Sequence, residues 1–78
     1  MDNVVRCYRG VDPVEGDDML YAVKNGLLAP STYTGEHDSW LTADGFDRFD
    51  EWASTPDEHD GVRLAMLDQF ELLWEKQE

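Results

Sequence analysis

Eighteen acidic side chains stand against six basic ones in a chain of only 78 residues, and this imbalance limits what the sequence can build. The formal net charge of −12 makes the chain repel itself on compaction. A domain of this size also buries only about 60% of the surface its unfolded chain exposes. The fold must therefore draw its cohesion from a few large side chains. Nine aromatics supply them: Tyr8, Tyr21, Tyr33, Trp40, Phe46, Phe49, Trp52, Phe70 and Trp74. Residues 1–78 are read as a single acidic domain. The charge excludes general nucleic-acid binding, which needs clustered Lys and Arg, and adhesion to anionic membranes. The length excludes a doubly wound nucleotide fold. Cys7 is the only cysteine, so no intrachain disulfide forms and a reducing compartment is expected. The start of the chain lacks a basic, then apolar, leader, and no apolar run approaches the ~20 residues a membrane span needs. The expected location is the cytoplasm.

Local patterning gives four segments. Val4-Val5-Arg6-Cys7-Tyr8-Arg9 is β-branched and aromatic and predicts a short strand stopped by Gly10. Residues 11–16 read as a loop. Asp17 and Asp18 can cap a helix that carries Leu20, Val23 and Leu27 at helical spacing and ends at Asn25-Gly26 before Pro30. Residues 31–39 are polar and turn-rich, with an extended piece around Tyr33. A second helix starts at Thr42, with Leu41 packing on Phe46 as a staple, and presents Phe46, Phe49, Trp52 and Ala53 on one face. Thr55-Pro56-Asp57-Glu58 is a capping box with proline in the first helical position. It predicts a third helix from Pro56 to Lys76 with Val62, Met66, Phe70, Leu73 and Trp74 on one face. Period-two alternation of apolar residues at 62, 64, 66, 70, 72 and 74 offers a strand instead. Helix is expected, because Leu, Ala, Met, Gln, Glu and Lys dominate the segment. The expected fold is therefore α+β: a small, mostly helical single domain with a short N-terminal strand.

Motifs of catalysis are sparse. Glu36-His37-Asp38 recurs as Glu58-His59-Asp60, and together the triplets could supply imidazole and carboxylate ligands to a metal. Two solvated surface histidines are the simpler reading, and no metal or cofactor is expected. No spacing singles out a carboxylate pair with one partner desolvated for acid–base work. Asp68, beside Leu67, is the best candidate for partial burial, as a helix-surface residue or a partner of Arg63. Cys7 lies in an apolar strand and reads as a packed small hydrophobe. No catalytic residue is assigned.

The acid is concentrated instead. Residues 34–60 hold nine acidic residues and one basic residue, whereas the flanking thirds are each near −2. On the helix expected from Thr42, Asp44, Asp47 and Glu51 fall at i, i+3 and i+7 on one face, with Asp50 beside them. Such a row steps along the axis by about 4.5–6 Å, close to the spacing of phosphates along a strand. It can occupy a Lys/Arg groove built for a phosphate backbone. Glu36, Asp38 and Trp40 extend this candidate partner-binding surface, and Trp40 and Trp52 can act as anchors. A merely solvated acidic face, or adaptation to high salt, is the alternative.

In size, charge and lack of catalytic motifs the chain resembles small phage-encoded inhibitors of host defence, such as anti-CRISPR proteins and other nucleic-acid mimics. That resemblance implies a stoichiometric inhibitor whose partner is a basic nucleic-acid-binding protein, for example a CRISPR effector subunit, with no direct nucleic-acid contact. A second resemblance points to an enzyme. Arg6-Cys7-Tyr8-Arg9-Gly10 is similar to the first-strand arginine segment of ADP-ribosyltransferases. Ser31-Thr32-Tyr33-Thr34 is similar to their Ser-Thr-Ser segment, and Gln69-Phe70-Glu71 to their Gln/Glu-x-Glu signature. It implies NAD as cofactor, Arg9 as a cofactor-binding residue and Glu71 as catalytic.

Overall fold

The computed structural model describes residues 4–28, 32–35, 41–42 and 58–77. Five strands dominate them: β1 (Val4–Val11), β2 (Asp18–Lys24), β3 (Leu27–Leu28), β4 (Thr32–Tyr33) and β5 (Glu71–Gln77). One short helix, α1 (Asp60–Ala65), and a 3-10 turn (Leu67–Gln69) precede β5. The sheet is antiparallel in the order β3-β2-β1-β5, and β4 also pairs with β2. Because β3 pairs at Val23 and Lys24 while β4 pairs at Met19 and Leu20, the two share the outer edge of β2.

These elements correct the mostly helical expectation. The strand at the N-terminus is present, but it runs through Gly10 to Val11. The segment expected as the first helix is β2 and β3. Met-Leu-Tyr-Ala-Val is one continuous apolar run, which cannot separate a helix from a strand buried on both faces. Residues Met19 to Ala22 are indeed all buried. Asn25-Gly26 is the tip of a hairpin rather than a helix stop. Both residues have positive φ (52° and 74°), as a two-residue turn matched to strand twist requires. The extended piece at Tyr33 is present as β4. The helix expected over Pro56 to Lys76 is not continuous: its described part runs only from Asp60 to Ala65, and Phe70 is already extended. The helix expected from Thr42 falls on residues outside those described.

Register explains why the C-terminal strand was hard to read. Cys7 pairs with Trp74 but Tyr8 pairs with Leu72, so Leu73 is an extra residue in β5, a β-bulge. The bulge lets Leu73 and Trp74 both join the cluster of Val5, Leu20 and Ala22, where strict alternation would send them to opposite faces. The other face carries Met19, Tyr21 and Leu28, packed by Tyr8, Val23, Leu64 and Phe70. The Phe70 ring stacks on Tyr21 with centroids 5.1 Å apart and planes at 9°.

That stack needs Gly10. A Cβ added there would lie 2.2 Å from Phe70 Cδ1, with two further ring atoms inside 3 Å. The ring cannot yield cheaply, because Tyr21 lies behind it. Gly10→Ala is therefore expected to destabilise the fold by about 1–3 kcal/mol through overpacking. Urea denaturation checks this, and Phe70→Leu in the same chain should recover part of the loss.

Candidate functional site

Asp12, the residue after β1, opens the loop to β2 with an Asx turn. Its Oδ2 accepts the backbone N–H of Val14 at 3.1 Å and of Glu15 at 2.8 Å. Its Oδ1 accepts the Tyr21 hydroxyl at 2.6 Å and Arg63 Nε at 2.6 Å, and Arg63 Nη2 reaches Oδ2 at 3.4 Å. The Asp12 side chain is fully buried and that of Arg63 is 6% exposed. Arg63 Nη1 also reaches Asp60 Oδ1 at 3.4 Å, one turn back along α1. Three elements thus converge on one carboxylate: the β1–β2 loop, the middle of β2, and α1.

Burial works to push the Asp12 carboxyl up, but it is outweighed. Hydrogen bonds from Arg63, Tyr21 and the Glu15 N–H, with the Arg63 charge, hold it well below the usual carboxylate range. Burial first, then the bond to Asp12, pushes the Tyr21 hydroxyl well above its ordinary value, so it stays protonated and donates. An acid locked in the ionised state and closed to solvent is a poor general base, which needs a pKa near the working pH and a reachable proton. The cluster is a structural clamp. Cys7 is equally unsuited to chemistry: burial pushes its thiol up to about 12, far from the thiolate that reactivity needs.

Surface ion pairs use the remaining arginines of the described residues. Arg6 Nε meets Glu75 Oε1 at 3.0 Å across β1 and β5. Arg9 grips Asp18 with Nη2 at 2.7 Å and Nε at 3.1 and 3.2 Å, which holds the Asp18 carboxyl below its ordinary range. Around them Glu15, Asp17, Asp68 and Glu71 are exposed.

Of the residues singled out in the sequence, Asp44, Asp47, Asp50, Glu51, Glu36, Asp38 and Trp40 all lie outside the described residues. Asp68 is exposed in the 3-10 turn, and Arg63 pairs with Asp12 and Asp60 instead. In the second Glu-His-Asp triplet, His59 Nε2 lies 3.3 Å from Glu58 while Asp60 turns to Arg63. Among the described residues no three potential ligands come together for a metal. Arg9 and Glu71 are directly opposed across β1 and β5. Thr32 and Tyr33 lie along the far edge of β2, and Tyr33 donates its hydroxyl to Glu15 at 3.1 Å.

The Asp12–Arg63 pair was missed in the sequence. Asp12-Pro13 is a turn signal, and Arg63 is flanked by Val62 and Leu64, but 51 positions separate the two. Nothing in a single chain joins residues so far apart. Among known proteins, the chain matches no family model, no curated sequence and no solved structure. No helix of the described residues is long and apolar enough to cross a membrane.

Asp12→Asn would take from the buried Arg63 guanidinium the nearer of its two carboxylates and leave the more distant Asp60. The expected loss is about 3–5 kcal/mol, and Arg63→Met in the same chain should restore part of it. The linkage has a definite sign. A carboxyl depressed on folding stabilises fully above its unfolded pKa of ~3.9 and loses that stabilisation as pH falls below it. Urea midpoints measured across acidic pH should fall more steeply for the parent than for Asp12→Asn.

Proposed function

We propose that this protein is a non-enzymatic, stoichiometric inhibitor that presents carboxylates to a basic, nucleic-acid-binding protein surface in the cytoplasm. The observation that carries the reading is the acid block: residues 34–60 have a net charge of −8. The described arginines support it from the other side. Arg6, Arg9 and Arg63 are each held by carboxylates of the same chain, so they do not offer a cationic track for phosphate. A partner that normally grips DNA or RNA supplies the complementary charge, and a host-defence effector such as a CRISPR subunit fits that description. Electrostatic complementarity of this kind sets partner choice and association rate more than raw affinity.

A second reading, an ADP-ribosyltransferase-like enzyme using NAD, draws on one observation, the cross-strand juxtaposition of Arg9 and Glu71. Against it, the Arg9 guanidinium is already occupied by Asp18, where the cofactor phosphates would have to bind.

The experiment is a competition titration against candidate basic partners. Binding should weaken steeply with salt, since charges screen over a Debye length of ~8–10 Å, and DNA or RNA should compete. Charge reversal at Asp44, Asp47 and Glu51 should weaken it far more than equal reversal at Asp17, Asp68 and Glu78. Equal losses would reduce the effect to net charge, and no loss from either set would end the mimic reading. Glu71→Gln should leave binding and inhibition unchanged, whereas a transferase would lose NAD-dependent modification of its target while folding normally.

A further inference from the structure

Asn25 and Gly26 form an exposed two-residue turn between β2 and β3, both with positive φ. The flanking pair Lys24 and Leu27 carries the ladder, which leaves the Gly26 nitrogen outside it. Apart from Gly26 and its two chain neighbours, nothing lies within 4 Å of the position a Gly26 Cβ would take, so the turn is not packed against the rest of the described fold. Glycine also offers the least hindered backbone nitrogen to a preceding side-chain amide. We infer that Asn25 is a site of spontaneous isoaspartate formation in the folded protein.

The step balances with water alone. The Gly26 nitrogen bonds to Asn25 Cγ, the Cγ–Nδ2 bond breaks, and ammonia leaves with the proton that the Gly26 nitrogen gives up. Water then opens the five-membered imide. Opening at the main-chain carbonyl gives isoaspartate, and opening at the side-chain carbonyl gives aspartate. The left-handed conformation of Asn25 must relax for the nitrogen to reach Cγ. The hairpin allows this because β3 is only two residues long, so opening its tip breaks little structure.

The product changes both charge and geometry. One more carboxylate joins the acid surplus. Isoaspartate also inserts a methylene into the main chain between residues 25 and 26, which is incompatible with a two-residue turn that sets the pairing of Val23 with Leu28. Leu28, 5% exposed and clustered with Met19 and Tyr21, loses the strand that holds it.

The chain contains a built-in comparison. Its other asparagine, Asn3, precedes Val4, whose branched side chain crowds the attacking nitrogen. The native protein is held for days in mildly alkaline buffer. It is then probed with an isoaspartyl carboxyl methyltransferase and labelled S-adenosylmethionine, followed by peptide mapping. Label should accumulate at residue 25 at least an order of magnitude faster than at residue 3 and vanish in Asn25→Gln, whose longer side chain closes the ring far more slowly. Hydrogen exchange of the aged protein should show loss of protection at β3. Asn25→Asp, which adds the charge without lengthening the backbone, should keep it. Equal labelling at the two asparagines, no labelling, or labelling only after unfolding in urea would overturn the inference.

Discussion

Asp12 sits ionised and closed to solvent in a chain that already carries far too many carboxylates, and it does so because Arg63 reaches it from across the sequence while Tyr21 and two loop N–H groups satisfy its oxygens. The dependence runs outward from there. α1 has six residues, too few to be stable alone. Arg63 and Leu64 hold it to the sheet, the first through charge and the second through the cluster around Tyr21. Tyr21 serves both sides of that contact: its hydroxyl joins the ion pair and its ring carries Phe70. Phe70 in turn leads directly into β5. Replacing such a pair with well-packed apolar groups can be neutral in stability. What it supplies here is position, since a guanidinium satisfied at one carboxylate fixes where the helix lies.

The parts of this fold that were legible in the sequence are those set by neighbours along the chain. β1 could be read from β-branched residues, the loop after it from Asp12-Pro13, and the extended piece at Tyr33 from its turn-rich flanks. Helix and strand could not be told apart where burial on both faces, as in β2, or a bulge, as in β5, removes the alternation. Leu20, Val23 and Leu27 have helical spacing, but Asn25-Gly26 between two apolar runs was the stronger signal, because only a hairpin demands two consecutive left-handed residues. In the C-terminal segment the period-two pattern starts in α1 and the 3-10 turn, where no strand forms; only its last positions, Leu72 and Trp74, lie in β5, and the bulge at Leu73 breaks their alternation. Helix propensity filled the gap and gave the wrong answer for 71–77, which tertiary pairing with β1 overrides. The clamp was illegible for a different reason. It joins residues whose only relation is spatial.

The sheet also limits how a partner can be engaged. β5 carries Glu71, Glu75 and Lys76 and is twisted by its bulge. The far side of β2 is lined by two strands of two residues each. Charge, bulges and very short edge strands are the devices by which sheets discourage further pairing. Within the described sheet, then, neither side invites an incoming strand, and recognition by side-chain charge suits this architecture better than strand addition.

Salt separates the two roles that charge plays in such a molecule. Folding gathers −12 into a small volume, so screening relieves self-repulsion and favours the compact state. The buried Asp12–Arg63 pair is shielded from that screening, whereas the exposed Arg6–Glu75 and Arg9–Asp18 pairs are worth little and weaken further. The proposed binding to a cationic groove would run the other way, since the same ions would compete for both surfaces. Among the described residues, Asp12–Arg63 is the ion pair that salt reaches least, so it keeps α1 placed on the sheet as screening rises. The exposed carboxylates that no arginine holds oppose folding, and on the proposed reading they are the groups a cationic partner would meet.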